Sequence, residues 1–244
     1  MAQKKTISQR ISWWWNTRVL GFWRVKVSGE VKRKLAAPAD TIVFNRDATP
    51  MPAAKKSGIT VILTAYRRSE YLAEQIAALR SQTVAPDEIW VWSNRSEDDL
   101  RDVSALADRV VVANTNFLFW GRFALANLVR TEFVAFFDDD ILPQPRWFEN
   151  CLNTIDAGHD GILGGSGVLL PSEGGYSSKN KAGWNGAQNS HVTEVDLVGH
   201  AWFMRKAYVR FMWIEEPEYW DNGEDIHLSY MALKHGGIKT LVPP

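Results

Sequence analysis

The 244-residue chain is predicted to be an α/β protein with a largely parallel sheet. Strand-like and helix-like segments alternate from Ile59 onward, at the spacing that is typical of strand–helix–strand units. The strand-like segments are short, apolar and rich in β-branched and aromatic residues, as buried parallel strands are. Polar residues directly follow three of these segments. Because ligands bind at the carboxyl ends of the strands in such sheets, these residues predict a binding site at one edge.

The first 58 residues are predicted to lie outside this α/β unit. Residues 1–35 are interpreted as a basic helical segment, because apolar residues recur every three or four positions over 5–27. Such a helix either packs on the protein or lies in a membrane interface. Residues 36–58 are rich in Pro, Ala and Lys and are interpreted as a linker. Residues 1–56 contain twelve Lys or Arg against three Asp or Glu, so a basic segment precedes an acidic body.

The predicted elements of the body follow one another along the chain. Turn-forming residues bound the predicted strands, which are 59–66, 88–94, 109–115, 132–137, 194–205 and 238–244. Spaced apolar residues predict helices over 68–82 and 121–131. A further helix is predicted from Glu224 to Gly237, because two acids begin it and two glycines end it. Residues 164–190 are rich in Gly, Ser and Asn and predict a mobile loop, of which 172–190 is a candidate lid.

Three consecutive aspartates, Asp138, Asp139 and Asp140, end the fourth predicted strand. Like charges on adjacent residues repel one another and need a partner, and two prolines shortly after them exclude a helix at this point. Mg²⁺ and Mn²⁺ prefer hard oxygen ligands and bind through one or two carboxylates together with the phosphates of a substrate. The alternative is a solvated acidic turn. The apolar strand before the triplet favours the metal site.

Composition excludes several other classes of protein. A single cysteine, Cys151, excludes an internal disulfide and favours a reducing compartment. No stretch approaches the roughly 18 apolar residues that a membrane span requires, and the N-terminal apolar stretch is too short for a signal peptide. We therefore expect a cytoplasmic protein, with peripheral membrane contact through residues 5–27 as one alternative. The acidic body lacks a basic groove, so no nucleic-acid partner is expected.

Four motifs, taken in order, resemble those of GT-A glycosyltransferases, most closely the family 2 group. The first is VILTAYRRSEYLAEQIAALRSQ, a strand followed by T-x-Y-x-R and a helix. The second is GRFALAN followed by FVAFFDDD, which is similar to the D-x-D motif and the helix before it. The third, VDLVGHAWFMRKAYV, resembles the acceptor-side strand, and the fourth, GEDIHLSYMALKHGGIKTLVPP, resembles the late Glu-Asp motif. The resemblance covers residues 59–244, with 59–150 as the nucleotide-sugar-binding half and 151–244 as the acceptor half.

This resemblance implies the GT-A fold, a mostly parallel mixed sheet flanked by helices. It implies transfer of a sugar from a nucleotide-diphosphate sugar, for which we expect a UDP-sugar, to a hydroxyl of a glycan, lipid or protein acceptor. It also implies Mn²⁺ or Mg²⁺ as cofactor, with Asp138 and Asp140 as ligands and Asp138 also reaching the ribose. The residues implied in donor binding are Thr64, Ala65, Tyr66, Arg68, Ser93, Asn94, Arg122, Asp138 and Asp139.

The resemblance implies Glu224 and Asp225 as the catalytic residues. In an inverting reaction Asp225 would take the proton of the acceptor hydroxyl, with its pKa raised by burial or by Glu224. The structural alternative is that both acids complement a helix dipole. WVWSN, DDDI and EDI are also similar to exostosin-type transferases, which retain the anomeric configuration. In that case Asp225 would orient a substrate instead.

Two histidines and two rival functions remain as alternatives. His200 and His227 are each either a further metal ligand or a structural residue. A nucleotidyltransferase would carry a glycine-rich loop after its first strand, where this chain has AYRRSEY. A catalytically inactive GT-A binding module usually loses one of its acidic motifs, and both are present in this chain.

Overall fold

The computed structural model describes residues 57–96, 100–171, 180–183 and 189–244. The predictions for residues 1–35, which include the candidate membrane helix, lie outside these ranges. So do those for nearly all of the linker and most of the candidate lid. Among the described residues, no helix is both long enough and apolar enough to span a bilayer.

The described residues form one nine-stranded sheet with helices packed on it. The strands are β1 Ile59–Ala65, β2 Glu88–Asn94, β3 Arg109–Ala113, β4 Phe133–Phe137, β5 Gly161–Val168, β6 Lys181–Ala182, β7 Thr193–Val195, β8 Leu197–Arg205 and β9 Lys239–Val242. The α-helices are α1 Leu72–Arg80, α2 Arg101–Leu106, α3 Trp120–Leu125, α4 Trp147–Asp156 and α5 Glu224–Gly236. Single 3₁₀ segments span Ser69–Tyr71, Ala126–Leu128 and Lys206–Trp213.

The sheet is parallel in its first half and mixed in its second. The strand order is β3-β2-β1-β4-β8-β5-β9-β7, with β6 paired to β5. Strand β1 pairs in parallel with β2 and β4, and β2 pairs in parallel with β3. Strand β8 is antiparallel to both of its neighbours, β4 and β5. The predicted mostly parallel mixed sheet is therefore confirmed, and the carboxyl ends of β1, β2 and β4 share one edge.

The central strands are apolar throughout because helices cover both faces of the sheet. All five residues of β4 are buried. Their side chains alternate between the two faces, as the pleat of a strand requires. Val134 and Phe136 belong to the cluster that contains Phe123 of α3, whereas Phe133 and Phe137 belong to the cluster that contains Phe148 of α4. Two separate cores thus fix this sheet from either side.

The prediction that residues 164–190 form a loop is wrong for its first part. Residues 164–168 lie in β5, where glycines are needed because neighbouring strands approach closely. A Cβ on Gly164 would lie 2.3 Å from Cβ of Val198, and one on Gly167 would lie 2.6 Å from a methyl group of Val195. The glycine-rich composition therefore reflects packing in a strand. Helices α2 and α4 were also not predicted from the sequence.

Gly121 lets helix α3 pack closely on β2, and we expect its replacement by alanine to destabilise the fold. A Cβ there would lie 2.4 Å from the ring of Trp92. Such overpacking costs about 1–3 kcal/mol, more than the roughly 1 kcal/mol that alanine gains in a helix. Thermal unfolding of Gly121→Ala should therefore show a melting temperature lower by a few degrees. Gly199→Ala is the matched control, because its nearest contact would be an ordinary 3.8 Å to Oδ2 of Asp225.

Candidate active site

A cleft with a volume of about 340 Å³ lies at the edge where β1, β2 and β4 end. Seven of the nine residues predicted to bind the donor line it: Thr64, Tyr66, Arg68, Asn94, Arg122, Asp138 and Asp139. The other two, Ala65 and Ser93, are buried in β1 and β2 and do not line the cleft. The parallel strands therefore bring together residues that are far apart along the chain.

Asp138 is held by the side chains of Arg122 and His200. Nη1 of Arg122 donates to its Oδ1 at 2.5 Å, and Nδ1 of His200 lies 3.1 Å from its Oδ2. Its backbone N–H donates to the carbonyl of His200 at 2.9 Å, which extends the β4–β8 pairing past the end of β4. Burial alone would raise the pKa of Asp138, but His200 and Arg122 lower it below its ordinary value. The first aspartate of the triplet is thus ionised and fixed in orientation.

His200 reaches Asp138 because β8 is irregular at this point. The β5–β8 register shifts between Gly164 and Ser166, so β8 carries one extra residue there. His200 has a φ of 65°, in the left-handed region that non-glycine residues seldom adopt. A β-bulge of this kind re-aims side chains next to functional sites. The hydrogen bond to Asp138 raises the pKa of His200.

Asp138, Asp140 and His200 form a group that fits a divalent cation. Each offers one ligand atom, and these atoms lie within 4.8 Å of one another. Two carboxylates and an imidazole suit Mn²⁺ better than Mg²⁺, which takes oxygen ligands almost exclusively. His200, for which a metal-ligand role and a structural role were both considered from the sequence, lies at the site. His227 does not, since its Nε2 faces the carbonyl of Met212 at 3.2 Å and burial lowers its pKa.

The far end of the cleft is built by two asparagines and the turn after β3. Oδ1 of Asn94 accepts from the N–H of Phe117 at 2.8 Å, and its Nδ2 donates to Oδ1 of Asn116 at 2.8 Å. Nδ2 of Asn116 in turn donates to the hydroxyl of Tyr66 at 3.1 Å. Asn94 therefore shapes the cleft by holding this turn. Asn116 was missed in the sequence, although it is the polar residue that follows the third predicted strand.

Thr64 and Gln75 complete the framework of the cleft. Oγ1 of Thr64 is buried without a hydrogen-bond partner among the described residues, and Thr64 lines the cleft. Nε2 of Gln75 in helix α1 donates to the carbonyls of Asp138 at 2.7 Å and Ile141 at 2.8 Å. The turn that carries the aspartate triplet is therefore fixed by a buried side chain, which the sequence did not identify.

The two late acids lie in the first turn of α5 and have different surroundings. Oε1 of Glu224 accepts from Nη2 of Arg122 at 3.2 Å, so Arg122 joins Glu224 to Asp138. Oδ1 of Asp225 accepts from the N–H of Ile226 at 2.7 Å, and its Oδ2 lies beside Gly199 of β8. Burial raises the pKa of both carboxyls. Asp225 is thus placed next to the strand that carries His200.

A second cavity, of about 840 Å³, adjoins the turn after the triplet. It shares no residue with the first cleft, and its walls include Trp147, Asn150, Gly165 and Asn189. Gly165 lies on β5 opposite the bulge, so this cavity begins one strand away from His200.

The chain is similar to known proteins in sequence and in fold. Residues 60–212 match the family model described as glycosyl transferase family 2. No curated protein matches the chain in sequence. Among solved structures, TarS of S. aureus is similar, at 21% identity and a TM-score of 0.55 over 76% of this chain and 35% of TarS.

Two complexes of TarS residues 1–349 are also similar. The complex with UDP-GlcNAc matches at 20% identity and a TM-score of 0.54, over 76% of this chain and 55% of that one. The complex with UDP matches at 20% identity and a TM-score of 0.55, over 76% and 57%. The chain thus spans between about a third and just over half of the length of these proteins.

At this level of identity the TarS structures establish the fold, and they confirm the GT-A architecture predicted from the sequence. The family match covers well over half of the chain. It also contains the strand ends, the aspartate triplet and His200. The chain therefore belongs to glycosyl transferase family 2.

Proposed function

We propose that this chain transfers a sugar from a UDP-sugar to a hydroxyl group of a glycan, with inversion and with Asp225 as the base. The observation that carries this proposal is the position of the aspartate triplet. The triplet lies in one cleft, and Tyr66 and Asn116 lie at the other end of that cleft. Asp225 lies beside Gly199 of β8, the residue before His200. A nucleotide, a diphosphate and an acceptor hydroxyl would thus each meet groups of suitable chemistry.

The donor end of the cleft suits a nucleoside. Tyr66 offers a ring for base stacking, and the unpartnered hydroxyl of Thr64 can donate to or accept from a base edge. The choice of uridine is supported by the complexes of S. aureus TarS with UDP-GlcNAc and UDP. Asn94 would act indirectly, because both ends of its amide already bind the turn after β3.

The diphosphate end suits a metal-dependent transferase. Asp138, Asp140 and His200 would hold Mn²⁺, which when bound supplies positive charge to the departing diphosphate. Arg122 holds Asp138 from one side while Gln75 fixes the backbone of the same turn. These contacts pre-organise Asp138, so this carboxylate needs little rearrangement when the donor binds.

The acceptor side would be formed by Asp225 and the larger cavity. Because burial raises its pKa, Asp225 is a stronger base than an ordinary aspartate, and it can accept the proton of an attacking hydroxyl. Trp147 and the amide oxygens of Asn150 and Asn189 in the neighbouring cavity are groups that bind sugar rings and hydroxyls, while the amide nitrogens of these asparagines donate to the carbonyls of Pro244 and Pro243. They support a glycan as the acceptor class.

The proposal is tested by thermal shift with UDP-GlcNAc, other UDP-sugars, GDP-sugars and dTDP-sugars, each with and without Mn²⁺. Ligands that bind only the native state raise the melting temperature in proportion to occupancy. We expect the largest shift with a UDP-sugar and Mn²⁺, and its loss on addition of EDTA. In Asp140→Asn the Mn²⁺-dependent part of the shift should disappear, whereas Asp156→Asn, an exposed carboxylate at the end of α4, should behave as the wild type.

Other outcomes would contradict the proposal. A nucleotidyltransferase would instead turn over with pyrophosphate. A binding module would bind the donor without releasing UDP. Equal shifts with and without Mn²⁺ would exclude the metal role of Asp140.

A further inference from the structure

The side chain of Arg68 already occupies part of the candidate cation group with its own positive charge. Its Nη2 donates to Oδ1 of Asp139 at 2.5 Å and its Nη1 to Oδ2 of Asp140 at 3.0 Å. Asp140 is also one of the three residues that could hold a divalent ion. In this structure the guanidinium group is therefore the cation that neutralises Asp140.

A divalent ion and Arg68 compete for the carboxylate of Asp140, so each binds it more weakly when the other is present. The ion would add two positive charges beside a guanidinium that is already within hydrogen-bonding distance, and like charges at such distances repel strongly. The two arms of the guanidinium differ in accessibility, because the side chain of Asp140 is 46% exposed and that of Asp139 is 13% exposed. The contact to Asp140 is therefore the weaker arm, and Asp139 can keep Arg68 at the cleft after that arm is released.

We infer that Arg68 is an exchangeable cation whose release from Asp140 couples metal binding to diphosphate binding. Arg68 follows β1 and lines the donor cleft, so a released arm remains where a diphosphate would lie. A planar guanidinium binds phosphate oxygens with paired hydrogen bonds. Arg68 thus competes with the metal ion for Asp140 in the free protein and binds the donor once the metal is present. This inference rests on the proposed function.

A consequence of this exchange is positive coupling between Mn²⁺ and UDP. Mn²⁺ displaces the arm of Arg68 that binds Asp140, so this arm is available to the diphosphate. UDP in turn binds the displaced arm, so this arm no longer competes with Mn²⁺ for Asp140. Such coupling is reciprocal by thermodynamic linkage. Without Arg68, Mn²⁺ meets less competition, but the donor loses one of its contacts. The same substitution should therefore strengthen one binding event and weaken the other, which a merely structural residue would not do.

The experiment is a calorimetric titration of Mn²⁺ into the full chain, with and without saturating UDP, for the wild type, Arg68→Gln and Arg130→Gln. Arg130 is the matched control for lost charge, since it is an exposed arginine in the loop before β4 and does not line the cleft. Without UDP, we expect Arg68→Gln to bind Mn²⁺ about two- to fivefold more tightly than the wild type, the range for losing one exposed ion pair. The factor by which UDP strengthens Mn²⁺ binding should fall by a similar amount. Arg130→Gln should match the wild type in both titrations.

The failure of this inference is distinguishable from failure of the proposed function. If Arg68→Gln binds Mn²⁺ with wild-type or lower affinity, or if the coupling factor is unchanged, the exchange is excluded while the metal site stands. If the wild type binds no Mn²⁺ even with UDP, the metal-dependent function itself is wrong. Circular dichroism and melting temperature of each variant establish that the comparison is between folded proteins.

Discussion

Replacing Asp225 with asparagine is expected to lower kcat by about 10²- to 10⁴-fold, the range that a general base contributes. Asparagine has nearly the same shape and can still accept from the N–H of Ile226, so the start of α5 should be unchanged. It cannot accept a proton at neutral pH. Asp225 does not line the donor cleft, and UDP affinity should therefore stay within about twofold of the wild type. Release of UDP from the donor measures kcat, and calorimetry measures UDP affinity.

The pH dependence of the wild type gives a second test of Asp225. Burial raises its pKa above the ordinary value of 3.8. A base acts in its ionised form, so kcat should fall as the pH falls through this raised pKa and should be constant above it. Asp221→Asn, in the exposed loop before α5, is the matched control and should keep this profile. Wild-type kcat with the same acidic limb in Asp225→Asn would show that another group takes the proton, or that the reaction retains configuration.

Replacing Arg122 with methionine is expected to lower stability by about 3–5 kcal/mol, because it takes the ion-pair partner from the buried carboxylate of Glu224 and one of two partners from Asp138. Arg122 is only 4% exposed, lies between Asp138 and Glu224, and stacks over Trp202 at 4.7 Å. For a domain of this size, such a loss lowers the melting temperature by about 6–20 °C. Differential scanning calorimetry measures it.

Two further variants separate the loss of the ion bridge, in which Arg122 joins Asp138 to Glu224, from a general effect of lost charge. Arg130→Ala removes an exposed arginine a few residues along the chain and should change the melting temperature by no more than about 2 °C. Adding Glu224→Gln to Arg122→Met removes the buried carboxylate that lost its partner and should recover part of the loss. An Arg122→Met protein as stable as the wild type, or a double variant that is no more stable than the single one, would contradict the bridge.

Much of the fold was predictable because central strands carry their signal locally. The buried run Phe133–Phe137 and the aspartates after it are contiguous in sequence. The same is true of Thr64 and Ala65, which end β1, and Tyr66, which follows it. Their common edge follows from parallel pairing alone. Strand β5 was not predicted, since its glycines resemble a loop until the neighbouring valines are known.

The detailed chemistry of the site was less predictable because it depends on distant contacts. Arg122 meets a partner 102 positions away, and no local pattern marks that pair. The bulge at His200 depends on the register between β5 and β8, which one strand does not determine by itself. Asn94 likewise lines the cleft as expected, but its amide is already bonded to the turn after β3. Residue type and position were thus predictable, whereas the partners were not.

The strand order β1-β4-β8-β5 restricts how such a gene can recombine. Strand β8 comes from the second half of the chain, yet it pairs with β4 of the first half over Phe133–Phe137. A first half inherited without β8 would expose five apolar residues on an open edge, which promotes aggregation. The two halves of the domain therefore cannot be exchanged as separate modules, and changes in either half must arise within an intact domain.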